Sequence, residues 1–354
     1  MLAPSPLPRS LEASFRDIGS DRAATRASAI RDLVRHALAA EAVRTRAIPA
    51  LERLLREDDA AGVRSEAAVA IADLGAREGL PALLISVEDA DAAVRQMALA
   101  ALGEIGDPRA TQRLSRALRD PRPEVRYQAV IAFARVAKDD PTEVVAALAH
   151  AMEDPDEAIR YIALRVAEEQ GRDSGPLRDS RLQARAEQLV DAPNVTIAVA
   201  AALYLARLGL SRGLEVVMDV VAERVHTPEL EDEEACVELA GELSLAEAVA
   251  HLERRVWGAR RVVRKVLSWG AGDRRSCAWH ARIALARMHH ERARAEILAD
   301  LDSVRRETRE AAVVAVGRAG LAEARSALDR VRGSVDEALV HEALVRLAVD
   351  AAPR

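Results

Sequence analysis

The sequence predicts an all-α protein, a solenoid of about nine to ten short helical hairpins. Three observations predict it. A motif of Asp, four residues, Val or Ile, then Arg occurs four times, at spacings of 31, 31 and 34 residues. The apolar residues around it fall at helical spacing, and no alternating run argues for a strand. Aromatic residues make up only 2% of the 354-residue chain against 50% apolar residues overall, so Ala, Leu and Val must fill the interior.

The motif pairs are Asp58 with Arg64, Asp89 with Arg95, Asp120 with Arg126, and Asp154 with Arg160, and an alanine stands three residues after each arginine: Ala67, Ala98, Ala129 and Ala163. Weaker matches place Arg26, Thr196, Trp279, Arg309 and Val340 at the arginine position, so repeats extend over almost the whole chain. Within a repeat, stretches such as RATQRLSRALRD and AAVRQMALAALGEI each read as one helix, and GDPR or DPRP punctuates them. At 100° per residue, Val94, Ala98, Ala101, Leu102 and Ile105 share one face, which is the packing face. The arginine lies at the edge of that face. It is expected to reach a carboxylate of an adjacent repeat, so that the Asp–Arg pairs form a structural ladder. Hairpins this short are marginal alone and are stabilised by stacking.

The run from Asp89 to Ala110, Asp-x4-Val-Arg-x2-Ala-x2-Ala-Leu-Gly-x-Ile-Gly-Asp-Pro-Arg-Ala, resembles a HEAT repeat of the bilin-lyase-like subtype. The resemblance covers roughly residues 20–350 and is most regular at 58–170. It implies that the Val-Arg helices line the concave side of a superhelix. It carries little about activity. The expected organisation is a flexible lead over residues 1–12 and one solenoid over 13–350, with a degenerate unit near 229–256 and further repeats over 273–350.

Two surfaces are candidates for binding. Positions one, five and eight after each motif arginine point away from the packing face. They carry Gln96, Tyr127, Ile131, Tyr161, Arg165 and Tyr204, and all three tyrosines of the chain fall on this stripe. An amphipathic ring on a helix face is a good anchor for a protein partner. The second surface is the segment 251–282, which holds nine Arg and Lys residues and all three tryptophans. Its candidates are Arg254, Arg255, Trp257, Arg260, Arg261, Arg264, Lys265, Trp269, Arg274 and Arg275. Arginines with interleaved indoles suit phosphate contact and base stacking, so nucleic acid or another polyanion is an alternative partner. The neighbouring stretch 229–247 carries eight acids and no Arg or Lys, so the two blocks can also neutralise each other.

Catalytic signals are sparse. No nucleophile elbow, phosphate-binding loop or paired-histidine zinc motif occurs. HEAT-like DNA glycosylases are matched only by Trp269 and Asp273. The di-iron deoxyhypusine hydroxylases are matched only by His290-Glu291 and His341-Glu342, which do not share a repeat position. Cys277 and His280 are spaced as a pair of metal ligands without a completing shell. A bilin-lyase-like, chromophore-attaching role remains a further alternative on the repeat type alone. Two cysteines exclude a disulfide framework, and a net charge of −6 predicts no general affinity for polyanions. Arginine outnumbers lysine 49 to 2, which with the many alanines suggests a GC-rich bacterial genome. The reading is a cytoplasmic, non-catalytic scaffold or adaptor that binds proteins, needs no cofactor or metal, and inserts in no membrane.

Overall fold

The computed structural model describes residues 9–170, 176–258 and 277–350. They form helices and short 3-10 turns, with no strand among them. The chain divides into two compact units, residues 1–185 and 186–354. Each unit is a row of helical hairpins.

In the first unit, helices pair as α1 (Leu11–Asp17) with α2 (Ala23–Ala39), α3 (Glu41–Glu57) with α4 (Ala61–Asp73), and α5 (Leu80–Ser86) with α6 (Ala92–Ile105). The pairs α7 (Thr111–Ala117) with α8 (Pro123–Val136) and α9 (Pro141–Ala151) with α10 (Glu157–Glu169) follow. The second helix of each pair packs on the second helix of the next. The division between units falls within α11 (Ser180–Leu189). The second unit contains α12 (Val195–Arg207), then α13 (Ser211–Val221) with α14 (Leu230–Glu242) and α15 (Val249–Trp257) with α16 (Ala278–Arg287). It ends with α17 (Glu291–Asp300) paired with α18 (Arg306–Ala319), and α19 (Arg325–Val331) with α20 (Glu337–Asp350). The stretch 229–256 is thus not one divergent repeat. It holds the second helix of one hairpin and the first helix of the next. The lead also ends earlier than expected: Arg9 already bonds Asp17, Ser28 and Asp32, and α1 starts at Leu11. Residues 1–8 lie outside the described residues.

Small side chains set the spacing. Ala67, Ala98, Ala129 and Ala163 are each fully buried. Glycine goes further where second helices meet. A Cβ on Gly103 would stand 3.0 Å from the Ala132 Cα, one on Gly241 2.6 Å from the Ala284 Cα, and one on Gly317 2.9 Å from the Ala343 Cα. All three occupy the twelfth residue of their helices, so this position presses on the following second helix. It is not solvent-facing as the sequence pattern suggested. In α10 the same position holds Glu168, whose side chain is fully buried and pairs with Arg165 at 2.8 Å.

The ladder runs in one direction. Each arginine grips the aspartate of the next hairpin through Nε and Nη2: Arg26 to Asp58, Arg64 to Asp89, Arg95 to Asp120 and Arg126 to Asp154, at 2.7–2.9 Å. Nη1 donates to a backbone carbonyl six residues back, as Arg95 does to Asp89 O at 2.9 Å. The aspartate also accepts from the backbone two residues on, as Asp89 does from the Asp91 N–H. One carboxylate therefore fixes a neighbouring guanidinium and its own helix-entry turn. Arg26, a weak match in sequence, is a full rung. Arg160 is not. Its Nη1 keeps the carbonyl bonds to Asp154 and Pro155, and its Nη2 reaches Glu157 of its own helix at 3.4 Å. The ladder of four pairs expected from sequence is a ladder of four rungs shifted by one repeat.

Burial alone would raise the carboxyls of Asp58, Asp89 and Asp154. Arginine and backbone hydrogen bonds together with guanidinium charge outweigh it and hold all three below the ordinary value of 3.8. A carboxyl lowered on folding contributes stability above its unfolded value and loses that contribution as pH falls through the folded one. Asp89→Asn is expected to cost about 1–3 kcal/mol at pH 7, with the gap to wild type closing as pH drops below about 4, in urea melts across pH. Gly241→Val should lower the midpoint by the cost of overpacking, about 1–3 kcal/mol. Gly62→Ala, where a Cβ meets nothing within 4 Å, should raise it by about 0.5–1 kcal/mol.

Candidate interaction surface

A backbone landmark sets the register of several second helices. Helix α4 ends on a left-handed residue eleven positions after its motif arginine, from Arg64 to Gly75, and α6 does the same from Arg95 to Gly106, with φ of 57° and 66°. Glycine suits that conformation because it has no Cβ to clash. In the second unit the landmarks are Gly209, Ser244, His289 and Gly320. Counting back places Ala198, Glu233, Ala278 and Arg309 at the motif position. The sequence frames at Thr196 and Trp279 were therefore displaced by two residues and one residue.

The displacement decides the fate of Tyr204. Asn194 caps α12 by accepting from the Thr196 and Ile197 N–H groups, as Asp91 caps α6. Tyr204 then corresponds to Ala101, on the packing face, and it is 0% exposed. It leaves the predicted partner stripe and serves as a core residue. The remaining residues divide by environment. Gln96, Tyr127, Ile131 and Tyr161 are half-buried, with part of each side chain reaching solvent. Tyr127 and Tyr161 both directly follow the motif arginine, on second helices that pack side by side. Arg165 is tied to Glu168 and, at 3.5 Å, to Glu169.

In the corrected frame Trp279 takes the same repeat position as Tyr127 and Tyr161. Sequence reasoning placed it at the arginine position itself, within the segment 251–282. Its surroundings belong to the second unit's own face. Glu231, Glu234, Glu238 and Glu242 recur at helical spacing along α14. His280 stands 3.4 Å from Glu234 and 3.6 Å from Glu238, edge-on to the Trp279 ring. Arg318 bonds Glu238 at 2.7 Å and lies 5.5 Å over the Trp279 ring. Glu242 takes Arg207 at 2.7 Å. The helices α12, α14, α16 and α18 are thus cross-linked by charge where the Asp–Arg ladder is missing.

The basic block is largely committed or undescribed. Arg255 is buried. It donates to the Val221 and Val220 carbonyls at 3.0 and 2.8 Å and to Glu233 at 2.5 Å. With Glu233 at the motif position, this is a ladder rung of reversed polarity, and Arg255 is no free surface cation. Arg254 is exposed and meets His251 Nδ1 at 2.6 Å. Trp257 donates to Glu296 at 3.0 Å, faces His290 at 5.3 Å between ring centres, and carries Arg292 4.2 Å over its ring. Arg260, Arg261, Arg264, Lys265, Trp269, Arg274 and Arg275 lie outside the described residues. The described part of the acidic and basic blocks does pair internally, through Glu233 with Arg255 and through Glu234 and Glu238 with His280.

Cys277 sits at φ 43°, buried, with its thiol pushed up to about 12 by burial and by Glu233. That disfavours the thiolate a metal would require. Among the described residues no group of three or more His, Cys, Asp or Glu is arranged to hold a metal ion.

Stacked hairpins, second helix against second helix and bolted by Arg–Asp bonds, define an α-solenoid repeat protein. Over residues 48–184 the repeats are HEAT repeats: the model of that family matches residues 48–134, 80–168 and 112–184 in overlapping registers. YibA from E. coli has a similar structure, with 14% identity and a TM-score of 0.54 over 80% of this chain and 93% of that one. This likeness shows the fold alone. The complex of CpcE and CpcF of phycocyanin lyase from Nostoc sp. PCC7120 matches at 18% identity and a TM-score of 0.43, over 72% of this chain and 97% of that one. An engineered protein matches at 18% identity and a TM-score of 0.40, over 96% and 98%. No curated protein matches the sequence.

The reversed rung gives a prediction. Arg255→Met removes three hydrogen bonds and leaves Glu233 without its cation. It is expected to destabilise the protein by about 3–5 kcal/mol, whereas Arg254→Met on the exposed side should change thermal stability by less than about 0.5 kcal/mol.

Proposed function

We propose that this protein is a non-catalytic interaction scaffold or adaptor that binds a protein partner on the exposed face of its second helices. One observation carries the reading: Tyr127 and Tyr161 occupy the same repeat position on adjacent helices, half-exposed, beside Ile131 and Gln96. Rigid, amphipathic rings lose little entropy on binding and anchor interfaces well. Shape and residue spacing, rather than bond-making chemistry, would supply specificity. HEAT repeats support an interaction role. No helix among the described residues is long and apolar enough to cross a membrane, and the proposed address is the cytoplasm.

The test is affinity capture from an extract of the native organism, with bound proteins identified by mass spectrometry. Tyr127→Ala combined with Tyr161→Ala should lose the specifically captured partner while the far-ultraviolet circular dichroism and melting curve stay within error of wild type. Undiminished capture by the folded double variant rejects the surface.

A further inference from the structure

We propose that Ser334 is a phosphorylation site, and that its phosphoryl group completes the ladder rung that Arg309 lacks. This goes beyond the scaffold reading and does not depend on the tyrosine face. It rests on the last two hairpins of the second unit. Arg309 keeps the orienting half of a rung, with Nη1 donating to Ser303 O at 2.8 Å and to Val304 O at 3.2 Å. Its Nη2 donates to Ser334 O at 2.8 Å, but Nε is shut from solvent and makes no hydrogen bond. In the four complete rungs Nε and Nη2 both close on one carboxylate at 2.7–2.9 Å. A buried donor without an acceptor is costly, so this corner is short of an anion.

The missing anion has a defined place. The ladder aspartate stands two residues before the residue that caps a second helix, as Asp89 does before Asp91. Asp336 caps α20 by accepting from the Ala338 N–H, and two residues before it is Ser334. The second duty of the ladder carboxylate is open as well. Asp58, Asp89, Asp120 and Asp154 each accept from the N–H two residues on, at 2.8–2.9 Å. The Asp336 N–H goes instead to Glu310 at 3.1 Å. Ser334 is exposed, follows Gly333 at φ 78°, and its Oγ donates to Val331 O at 2.8 Å. An esterified Oγ has no hydrogen and cannot make that bond, so phosphorylation frees the side chain to turn toward Arg309. The phosphoryl oxygens then offer acceptors to Nε and to the Asp336 N–H together. Glu310 is repelled by the new charge and keeps Arg306 at 2.8 Å. The reaction is transfer from ATP by a protein-serine kinase. The Oγ–P bond forms, the bond from the γ-phosphorus to the β–γ bridging oxygen breaks, ADP leaves, and the hydroxyl proton passes to the base of the kinase.

The test uses the full-length protein in two arms. In the first, it is incubated with an extract of the native organism and ATP labelled in the γ-phosphate. Peptide mass spectrometry should place label on Ser334, absent in Ser334→Ala and kept in Ser326→Ala, a change in the same hairpin. In the second, phosphoserine is installed at position 334 during translation, and the Nε–Hε signals of nitrogen-15 arginine are followed by NMR. Arg309 is assigned by the peak that Arg309→Lys removes. In the unmodified protein its Hε signal should lie upfield of those of Arg64, Arg95 and Arg126. Phosphoserine should move it downfield among them and raise the melting midpoint, and Arg309→Lys should abolish that rise. The inference is overturned by absence of label at Ser334, by an Arg309 signal that phosphoserine leaves in place or that already lies among the ladder arginines, or by a midpoint that does not rise. These readouts need no protein partner, so failure here leaves the tyrosine face standing. Loss of partner capture in turn leaves the Ser334 result intact.

Discussion

The first unit depends on one bond made four times: a guanidinium fork closed on the aspartate of the following hairpin. Its effect exceeds that of a surface ion pair because each partner does two jobs. The arginine also ties down the carbonyls at the start of its own helix, and the aspartate also caps the turn that leads into the next. Orientation of one hairpin is thereby written into the backbone geometry of its neighbour. Apolar burial between alanine-rich faces supplies attraction but little direction. The Arg–Asp bond supplies the direction, so identical hairpins stack in one register.

The second unit meets the same constraint with different residues. At the motif position it has Ala198, Glu233, Ala278 and Arg309. Arg309 keeps its bond to the Ser303 carbonyl and reaches the Ser334 carbonyl where a carboxylate would stand. Glu233 reverses the charges and takes Arg255 from the following first helix. Elsewhere, contacts between second helices take over, with Arg207 on Glu242 and Arg318 on Glu238. Directional bonds between repeats persist although the motif does not, which is why the stacking survives the loss of the sequence signature.

The hairpin fold and the alanine packing were legible from the motif, because a period near 31 residues and a 3.6-residue face are both visible in one chain. The register of the second unit was not. It is set by cap and left-handed residues, and Ser244 and His289 in place of glycine hide two of these landmarks. A two-residue slip moved Tyr204 from the core to the surface. The same loss of frame concealed that Trp279 shares a position with Tyr127 and Tyr161. The partner of Arg255 was hidden for another reason. A reversed rung joins residues 22 apart, and no composition or periodicity distinguishes it from a surface arginine. For the ladder, the expected set included Arg160, which shares a motif with Asp154 but not a rung, and left out Arg26, which closes on Asp58.

The chain carries 51 Arg and Lys against 57 Asp and Glu, a supply large enough to suggest charged surfaces everywhere. Four motif arginines and four motif aspartates bond each other, and in the described part of the acidic and basic blocks Glu233 bonds Arg255. Charge used in holding repeats together cannot also recognise a partner without loosening the stack. The proposed partner face uses positions that the repeat leaves optional. The position after the motif arginine is one of these: Ser65, Gln96, Tyr127 and Tyr161 occupy it in turn with no common chemistry. A site that the repeat does not need can carry a ring for a partner at little cost to folding.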